Sequence, residues 1–432
     1  MKEQWSSRIG FLFVAIGAAA GLGSVWRFPT IVGENGGGAY LVPYLVATVV
    51  CAMPLMILEL SVGRHFSTDV VSAFRSAHPK CSFVGWFVCA TVFVILSYYL
   101  VITGWTLAFL IISLIQAPMT FVGFSQSYLP IIPFVASAAL IGVIVASGIR
   151  AGIERVSSIL IPFIVVILCF MAAFVATLPG FSAGLAYYLT PDFSVLANPS
   201  LWIAAIGQSF YTLSIGLGIL ITYGSYMNRE ENILESSLII SAGDLFISLL
   251  AGFVIFPIVF SFGLAPTAGA ELAFSTLPQA FALIPGGNLI AAAFFLLLFL
   301  TALLSSVAML EVPVAAVMGV TAWSRRDVCI LLTVALVLLG LPSALSYTGF
   351  DLTLAGERVL DVMDDAAGTF GIIVSGILGC LIFGWYVDRN VIESEVRSEN
   401  RLIRYIVPLC RYVLPLAMTA VLLVTLAGRV AG

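Results

Sequence analysis

Charged side chains are scarce in this chain. Aspartate, glutamate, lysine and arginine together make up 9% of its 432 residues, and 61% of the residues are hydrophobic. A soluble domain is roughly 25% charged and about 45–50% apolar, so the composition excludes an ordinary soluble protein and indicates many membrane spans. In such a protein the net charge of −4 carries no information about nucleic acids, and no nucleic-acid partner is expected.

Histidine is scarce and cysteine is unpaired. The only two histidines, His65 and His78, lie in one polar loop, and none of the seven cysteines forms a C-x-x-C pair. A disulfide framework and a zinc site are therefore not indicated. The chain has almost none of the side chains that a metal-dependent or histidine-based enzyme needs, and we expect no enzymatic activity.

Long apolar runs dominate what is present. Eleven of them can cross a membrane as helices, at approximately 9–33, 38–62, 83–115, 131–148, 156–178, 200–226, 234–263, 288–320, 328–349, 366–388 and 403–427. With a cytoplasmic N-terminus, all but three of the 18 lysines and arginines fall on the inner side, as the positive-inside rule requires. The sequence predicts one all-α polytopic domain over residues 1–432 in the inner (plasma) membrane, with its C-terminus outside.

The outer connections differ from free linkers. Segments 116–130, 179–199 and 264–287 contain no lysine or arginine and are rich in proline, glycine and phenylalanine. We expect them to pack over the outer mouth of the protein as short helices and loops.

Glycines interrupt two of the apolar runs. Gly17, Gly21 and Gly23 interrupt the first run, and Gly216 and Gly218 interrupt the sixth. Each glycine weakens a helix by about 1 kcal/mol, and broken backbone at membrane depth is tolerated only where it lines a cavity or is buried in protein. Paired interruptions in the two halves of a membrane chain indicate a binding site at mid-membrane. For the first run alone, a tightly packed glycine-rich helix is the alternative.

Several short motifs point to one known family. They are Trp5 with Arg8, GLGSVWRFP (21–29), ENGGGAY (34–40), PLMILE (54–59), Tyr98-Tyr99 with Trp105-Thr106, GIER (152–155), WIAAIGQ (202–208) and TYGSY (222–226). On these motifs the chain resembles the neurotransmitter:sodium symporters over essentially its whole length. The resemblance implies a LeuT-type 5+5 inverted repeat, with helices 1–5 in residues 9–178 and helices 6–10 in residues 200–388. Helices 1 and 6 would be broken, and an eleventh helix would follow at 403–427.

The resemblance also implies sodium-coupled uptake of an amino acid or amine by alternating access. Freed N–H groups of a split helix attract anions, so the main chain around Leu22 and Gly23 would hold a substrate carboxylate with the Tyr99 hydroxyl. Relatives that carry amines have an aspartate where this chain has Gly21, which favours a substrate with its own carboxylate. The bulk and neutrality of the implied site suit a neutral, hydrophobic amino acid, although any of its apolar members could be plain helix packing. The substrate-binding residues implied are Ala19, Leu22, Gly23, Ile95, Tyr99, Tyr211, Thr212, Ser214, Leu217, Ser305 and Met309.

The first implied sodium site departs from the family pattern. Its ligands would be Ala19, Ser24, Thr212 and Asp244, and the family usually has asparagine at the last position and at Ser24. Oxygen ligands suit a hard cation, and a carboxylate inside an apolar span is a functional residue by default. A purely structural hydrogen bond of Asp244 is the alternative.

Two further ion sites follow from the same match. A second sodium would use Gly17, Ala20, Thr301 and Ser305, but Leu304 stands where a further oxygen ligand is expected, so this site is weak or lost. Residues matching a chloride site in chloride-dependent relatives (Tyr44, Gln208, Thr212 and Ser248) are retained. Because Asp244 adds a negative charge there, we expect chloride-independent transport.

The gates are inferred in the same way. Outside, Arg27 and Asp364 would form a water-bridged pair above an aromatic lid of Tyr99 and Tyr211; a permanent salt bridge is the alternative.

Inside, Trp5 with Lys2 or Arg8 could meet Tyr226, but the usual acid near Gly319 is absent. Gly152 and Pro162 bracket a stretch at the start of helix 5 that resembles an unwinding element of the family.

The buried acids Glu59 and Glu311 are expected to bond neighbouring backbone or hydroxyl groups, with proton binding as the alternative. The partners expected are sodium ions, a small amino acid and the lipid bilayer, with the chain a monomer or weak homodimer. Two rival functions stay open. One is proton coupling through Asp244, and the other is an amino-acid sensor that does not transport.

Overall fold

Helices make up almost all of the structure. The computed structural model describes residues 3–265, 272–284, 286–396 and 403–431. In this part of the chain, eight helices are long and apolar enough to cross a membrane, and a pair of helices bent by 55° forms a ninth crossing. A shorter apolar helix and a second broken pair complete the eleven predicted spans. The predicted all-α polytopic fold is confirmed.

The spans are numbered here in chain order. They are α1 (Arg8–Ala19 and Gly23–Glu34), α2 (Gly38–Phe66), α3 (Ser82–Ile115), α4 (Ile131–Ala146), α5 (Ile149–Val175), α6 (Pro199–Thr212 and Ile219–Gly224), α7 (Ile233–Ser261), α8 (Gly287–Val320), α9 (Arg325–Leu345), α10 (Val359–Tyr386) and α11 (Arg404–Ala427).

Short elements connect the spans. On the side that the sequence predicts to be outer, called the outer side below and its opposite the inner side, the three connections without lysine or arginine contain short helices, as expected. They are Phe121–Ser125, Phe181–Leu189, Phe193–Ala197, Leu272–Thr276 and Leu277–Ala282. Residues 266–271 and 285 of the third connection lie outside the described residues. A two-stranded antiparallel hairpin (Thr353–Leu354 with Glu357–Arg358) precedes α10. Short helices at Val70–Ala77 and Arg389–Val396 lie on the other side.

Both predicted breaks are present. The first half of α1 ends where Ala20 leaves helical geometry (φ −76°, ψ 58°), and the chain resumes as a wide turn at Gly23–Arg27. In α6 the backbone takes positive φ at Ser214 (54°), Gly216 (81°) and Gly218 (72°). Positive φ is a conformation that glycine adopts without cost, which explains why these glycines interrupt the sixth run.

The packing of the other spans brings the two breaks together. α3 and α8 run along each other through the middle of the molecule, and α1 packs against α5, α7 and α8. The second half of α6 packs against α2, with Gly63 against the Ile221 main chain and Gly224 against the Leu60 main chain. The two broken helices are therefore enclosed by continuous ones, and their irregular backbone is buried in protein.

Candidate functional site

A small cavity of about 40 Å³ lies between the two breaks. Nine of its lining residues belong to the predicted substrate site: Ala19, Gly23, Ile95, Tyr99, Tyr211, Ser214, Leu217, Ser305 and Met309. Gly21 and Ile372 also line it. The predicted residues Leu22 and Thr212 lie beside the cavity and do not line it.

The first break places main-chain groups at one end of this cavity. The Leu22 N–H donates to the Tyr99 hydroxyl oxygen (3.1 Å). A Cβ on Gly21 would collide with the Ser305 hydroxyl and lie 3.1 Å from the Tyr99 hydroxyl oxygen. A side chain at position 21, including a carboxylate, would therefore require the Ser305 hydroxyl to move.

A buried cluster of oxygen atoms around one carboxylate, Asp244, lies next to the cavity. The Ser24 hydroxyl donates to Asp244 Oδ1 (2.5 Å) and lies 3.3 Å from the Ala19 carbonyl oxygen. Asp244 is fully buried, and its Oδ2 has no hydrogen-bond partner in the described part of the chain. A buried charge without a partner is costly, and an uncompensated carboxylate oxygen beside hydroxyl and carbonyl oxygens is the donor set that a hard cation prefers. These residues fit a sodium ion.

The four residues that match a chloride site surround the same place. The Tyr44 and Thr212 hydroxyls lie 3.1 Å apart, and Gln208 Nε2 donates to the Gly23 carbonyl oxygen (2.9 Å). Among the described atoms, the Ser248 hydroxyl and Gln208 Oε1 are buried without a partner. The structure thus brings these polar groups together around the Asp244 carboxylate.

The second predicted sodium site differs from the first in that it contains no carboxylate and has an aliphatic side chain beside its hydroxyls. The Ser305 hydroxyl donates to the Ala18 carbonyl oxygen (3.1 Å) and lies 3.4 Å from that of Gly17. The Thr301 hydroxyl donates back to its own helix, to the carbonyls of Leu297 and Leu298. Leu304 is buried, with its Cδ1 3.1 Å from the point that a Cβ on Gly17 would occupy. Both hydroxyls donate their hydrogens within the protein, and an aliphatic side chain fills the space beside them.

The predicted outer gate residues share a larger cavity, but with contacts that the sequence did not suggest. Arg27 and Asp364 both line an outer cavity of about 280 Å³. Within the described structure, Arg27 makes no direct ion pair with Asp364; its guanidinium lies 4.2 Å from the centre of the Tyr211 ring. Asp364 instead accepts a hydrogen bond from the Tyr98 hydroxyl (2.7 Å). A water-bridged pair stays a prediction.

The inner side is closed by the N-terminal segment. Trp5 donates through its indole N–H to the Tyr223 carbonyl (3.1 Å) and through its main-chain N–H to the Tyr226 carbonyl (3.2 Å). Arg8 pairs with Glu235 (2.7 Å) and not with Tyr226, and Lys2 lies outside the described residues. Asp69 from the first inner loop lies against Gly319.

The two buried acids bond as expected, with one addition. Glu59 accepts a hydrogen bond from the Gly216 N–H (2.9 Å) inside the second break. Glu311 accepts one from the Tyr226 hydroxyl (2.7 Å), and it also pairs with Arg325, which the sequence did not predict.

The start of α5, at the inner surface, departs from regular α-helix. Gly148 has a positive φ of 93°, and a wide turn follows at Ile149–Glu154. Glu3 accepts a hydrogen bond from the Ile149 N–H (2.8 Å), and Glu154 accepts one from the Ser6 N–H (2.8 Å). The irregular segment thus begins four residues before Gly152, and the N-terminal segment lies on it.

Two broken helices around a shared cavity, with a set of oxygen atoms beside it that fits a cation, define the class of broken-helix secondary transporters. The model of the Sodium:neurotransmitter symporter family matches residues 2–128 and 119–430. The chain belongs to this family. It is a multi-pass, sodium-dependent membrane transporter, and because the family consists of secondary transporters it is not an enzyme.

Relatives agree along nearly the whole chain. An uncharacterized sodium-dependent transporter of Methanocaldococcus jannaschii is 33% identical over 97% of this chain and 89% of its own. The sodium-dependent transporter YhdH of Bacillus subtilis is 32% identical over 97% and 98%. Among solved structures, the crystal structure of MhsT in complex with L-phenylalanine has a TM-score of 0.89 and 36% identity, and covers 98% of this chain and 99% of the other.

Proposed function

We propose that the protein takes up a neutral, hydrophobic amino acid together with sodium, without chloride, by alternating access. The observation that carries this proposal is the cavity between the two helix breaks, with the Asp244 cluster beside it. The proposal includes a cytoplasmic N-terminus in the plasma membrane and two inverted repeats at 9–178 and 200–388.

The character of the cavity supports an amino acid over an amine. Its side-chain end is formed by Ile95, Leu217, Met309 and Ile372, which carry no charge. At the other end, the position that could bear a neutralising acid is Gly21, where a Cβ already collides. A substrate carboxylate would therefore supply the negative charge near the Leu22 and Gly23 main chain. The structure of MhsT with L-phenylalanine supports the same substrate class.

The Asp244 cluster supports sodium as the coupled ion. Asp244 would bind sodium with the Ser24 and Thr212 hydroxyls and the Ala19 carbonyl. Since Ala19 belongs to both the cluster and the cavity lining, sodium bound here would fix the first break in its substrate-binding shape. Ion and substrate would then favour the same closed conformation, which is what symport requires.

The same carboxylate argues against chloride. Two unit charges about 4 Å apart at an effective dielectric of about 20 interact by about 4 kcal/mol. Asp244 would repel a chloride ion held by Tyr44, Gln208 and Ser248 by this order of magnitude. A fixed carboxylate would thus take the place that a mobile anion fills in chloride-dependent relatives.

Arg27 and Tyr211 would close the outer side. The stacked guanidinium and ring cover the cavity that Tyr211 also lines, with Tyr99 completing the lid. Asp364, bonded to Tyr98, would receive Arg27 when Tyr211 moves.

Uptake into liposomes containing the purified protein tests the proposal. Leucine, phenylalanine and their decarboxylated amines are compared under an inward sodium gradient, with potassium replacing sodium as the control. We expect uptake of at least one amino acid, no uptake of the amines, and no change when gluconate replaces chloride. Equal uptake of amine and amino acid would overturn the assignment of substrate class.

Proton coupling is the second candidate, because the buried Asp244 Oδ2 without a partner could also bind a proton. Uptake that persists in potassium and rises in acidic medium would favour it. Binding of an amino acid without any uptake would instead favour a sensor.

A further inference from the structure

A buried ion pair at the inner surface joins three separate parts of the chain. Arg64, at the inner end of α2, is 1% exposed. Its Nε donates to Glu395 Oε2 (2.8 Å), and one terminal nitrogen donates to the Glu395 carbonyl oxygen. Its other terminal nitrogen donates to the Glu231 carbonyl oxygen. The guanidinium therefore ties α2 to the linker helix Arg389–Val396 and to the loop that follows α6.

Glu395 is the centre of this cluster. Its Oε1 lies 3.4 Å from His65 Nδ1 and 3.4 Å from a terminal nitrogen of Arg229. Arg229 comes from the same loop as Glu231, so the one carboxylate faces cations from both α2 and that loop. We call Arg64, Glu395 and Arg229 the inner clamp.

Glu231 does not use its carboxylate to pair with Arg64. It offers Arg64 only its main-chain oxygen, and both of its carboxylate oxygens are buried without a hydrogen-bond partner among the described residues. Burial raises the pKa of Glu231 above its ordinary value, against the opposing charges of Arg64 and Arg8. Glu395 is thus the carboxylate that compensates the buried guanidinium.

The inner clamp lies close in the chain to the surface on which the N-terminal segment packs, and this position suggests what the clamp does. The loop that it holds continues directly from the second half of α6, which ends at Gly224. That half of α6 carries Tyr223, and Tyr226 follows it; their carbonyls accept hydrogen bonds from Trp5. The N-terminal segment therefore closes the inner side by docking on a surface whose far end is fixed by the clamp.

We infer that the Arg64–Glu395 pair is a positioning device that stabilises the inward-closed conformation by holding the loop after α6 against α2. Release of the pair frees this loop, weakens the surface on which Trp5 docks, and raises the population of inward-open molecules. The inference rests on the proposed alternating access but not on the identity of the substrate.

A matched pair of variants separates this role from a general effect on the linker helix. E395Q removes the charge that Arg64 faces while keeping the size of the side chain. E393Q is the control, because Glu393 lies on the same helix and pairs with Arg389 at the surface, where the two side chains are 30% and 44% exposed. Exposed pairs of this kind contribute about 0–1 kcal/mol, whereas removal of one partner of a buried pair is strongly destabilising.

Hydrogen–deuterium exchange of the purified full chain in sodium buffer, without substrate, provides the measurement. For E395Q we expect more than about tenfold faster exchange in peptides covering residues 219–232 and 3–15, the scale set by loss of a buried partner. E393Q should exchange like the unmodified protein, and R64K, which keeps the charge but loses the forked geometry, should lie between them.

Two results would overturn the inference. One is equal exchange of E395Q and E393Q in those peptides. The other is faster exchange of E395Q and R64K throughout α3 and α8 as well, which would make the pair a general folding element. Since no substrate is present, both results are independent of the amino-acid assignment.

Discussion

The two predicted sodium sites lie on either side of the same helix break, yet the structure builds them differently. Around Asp244, buried oxygens of Asp244 and Ser248 lack partners in the described part of the chain. At the second site, the Ser305 and Thr301 hydroxyls donate to carbonyls, and Leu304 packs against Gly17. Unpaired buried oxygens are costly unless a ligand pairs with them. Of the predicted side-chain ligands in the described part of the chain, only Asp244 therefore leaves a buried oxygen without a partner, and this oxygen favours a cation at the first site over the second.

This contrast suggests that one sodium ion, bound at Asp244, drives the transport cycle. A carboxylate provides a full charge where the family usually has a neutral amide. An aliphatic side chain provides nothing where a second oxygen ligand is expected. We propose that this chain concentrates its coupling at one site.

The largest expected effect is that of D244A. It removes the only charged ligand of the first site, so sodium affinity should fall by at least about a hundredfold, or about 2.8 kcal/mol. The sodium-dependent rise in melting temperature, measured against potassium, should disappear. An unchanged sodium response in D244A would invalidate the comparison of the two sites.

A smaller effect is expected from L304S, which adds a hydroxyl at the second site. The Hill coefficient for sodium in uptake should rise from about 1 towards 2, because a second oxygen-lined position becomes available. L304A is the control: it removes the same bulk, at a stability cost of about 2–5 kcal/mol, but adds no oxygen. A coefficient near 2 in the unmodified protein would contradict single-ion coupling.

The smallest effect is expected from S305A. Its hydroxyl is paired with protein carbonyls, so its removal should change sodium affinity by less than about threefold, the scale of one neutral hydrogen bond. Sodium affinity is measured by thermal shift in the absence of substrate, because Ser305 also lines the substrate cavity. A loss comparable to that of D244A would show that the second site is occupied.

Local sequence signals were enough to locate the spans and their breaks, whereas the arrangement of the spans was expected only from the family resemblance. The apolar runs located all eleven spans, because membrane insertion depends on composition over about 20 residues. Glycines located both breaks, since Gly216 and Gly218 take the positive φ that other residues avoid. Ser214 takes positive φ as well, and nothing local marks a serine for it.

Contacts between distant residues were not predictable in this way. Ile372 lines the cavity, Arg27 stacks on Tyr211, and Arg64 pairs with a glutamate 331 positions further along the chain. Each depends on how whole helices pack. The nearest available signal was Arg64 itself, a cation at the end of an apolar span, which indicates a partner without saying which residue it is.

The short length of the second half of α6 affects how this segment can move. With only six residues, Ile219–Gly224, it is far shorter than the roughly 12–15 residues below which an isolated helix is marginal in water. Its helical structure is stabilised by packing on α2, where Gly63 of α2 and Gly224 of α6 allow the two main chains to come into contact. Separation from α2 would unfold so short a helix. We therefore expect the second half of α6 to move together with α2 when the protein changes conformation.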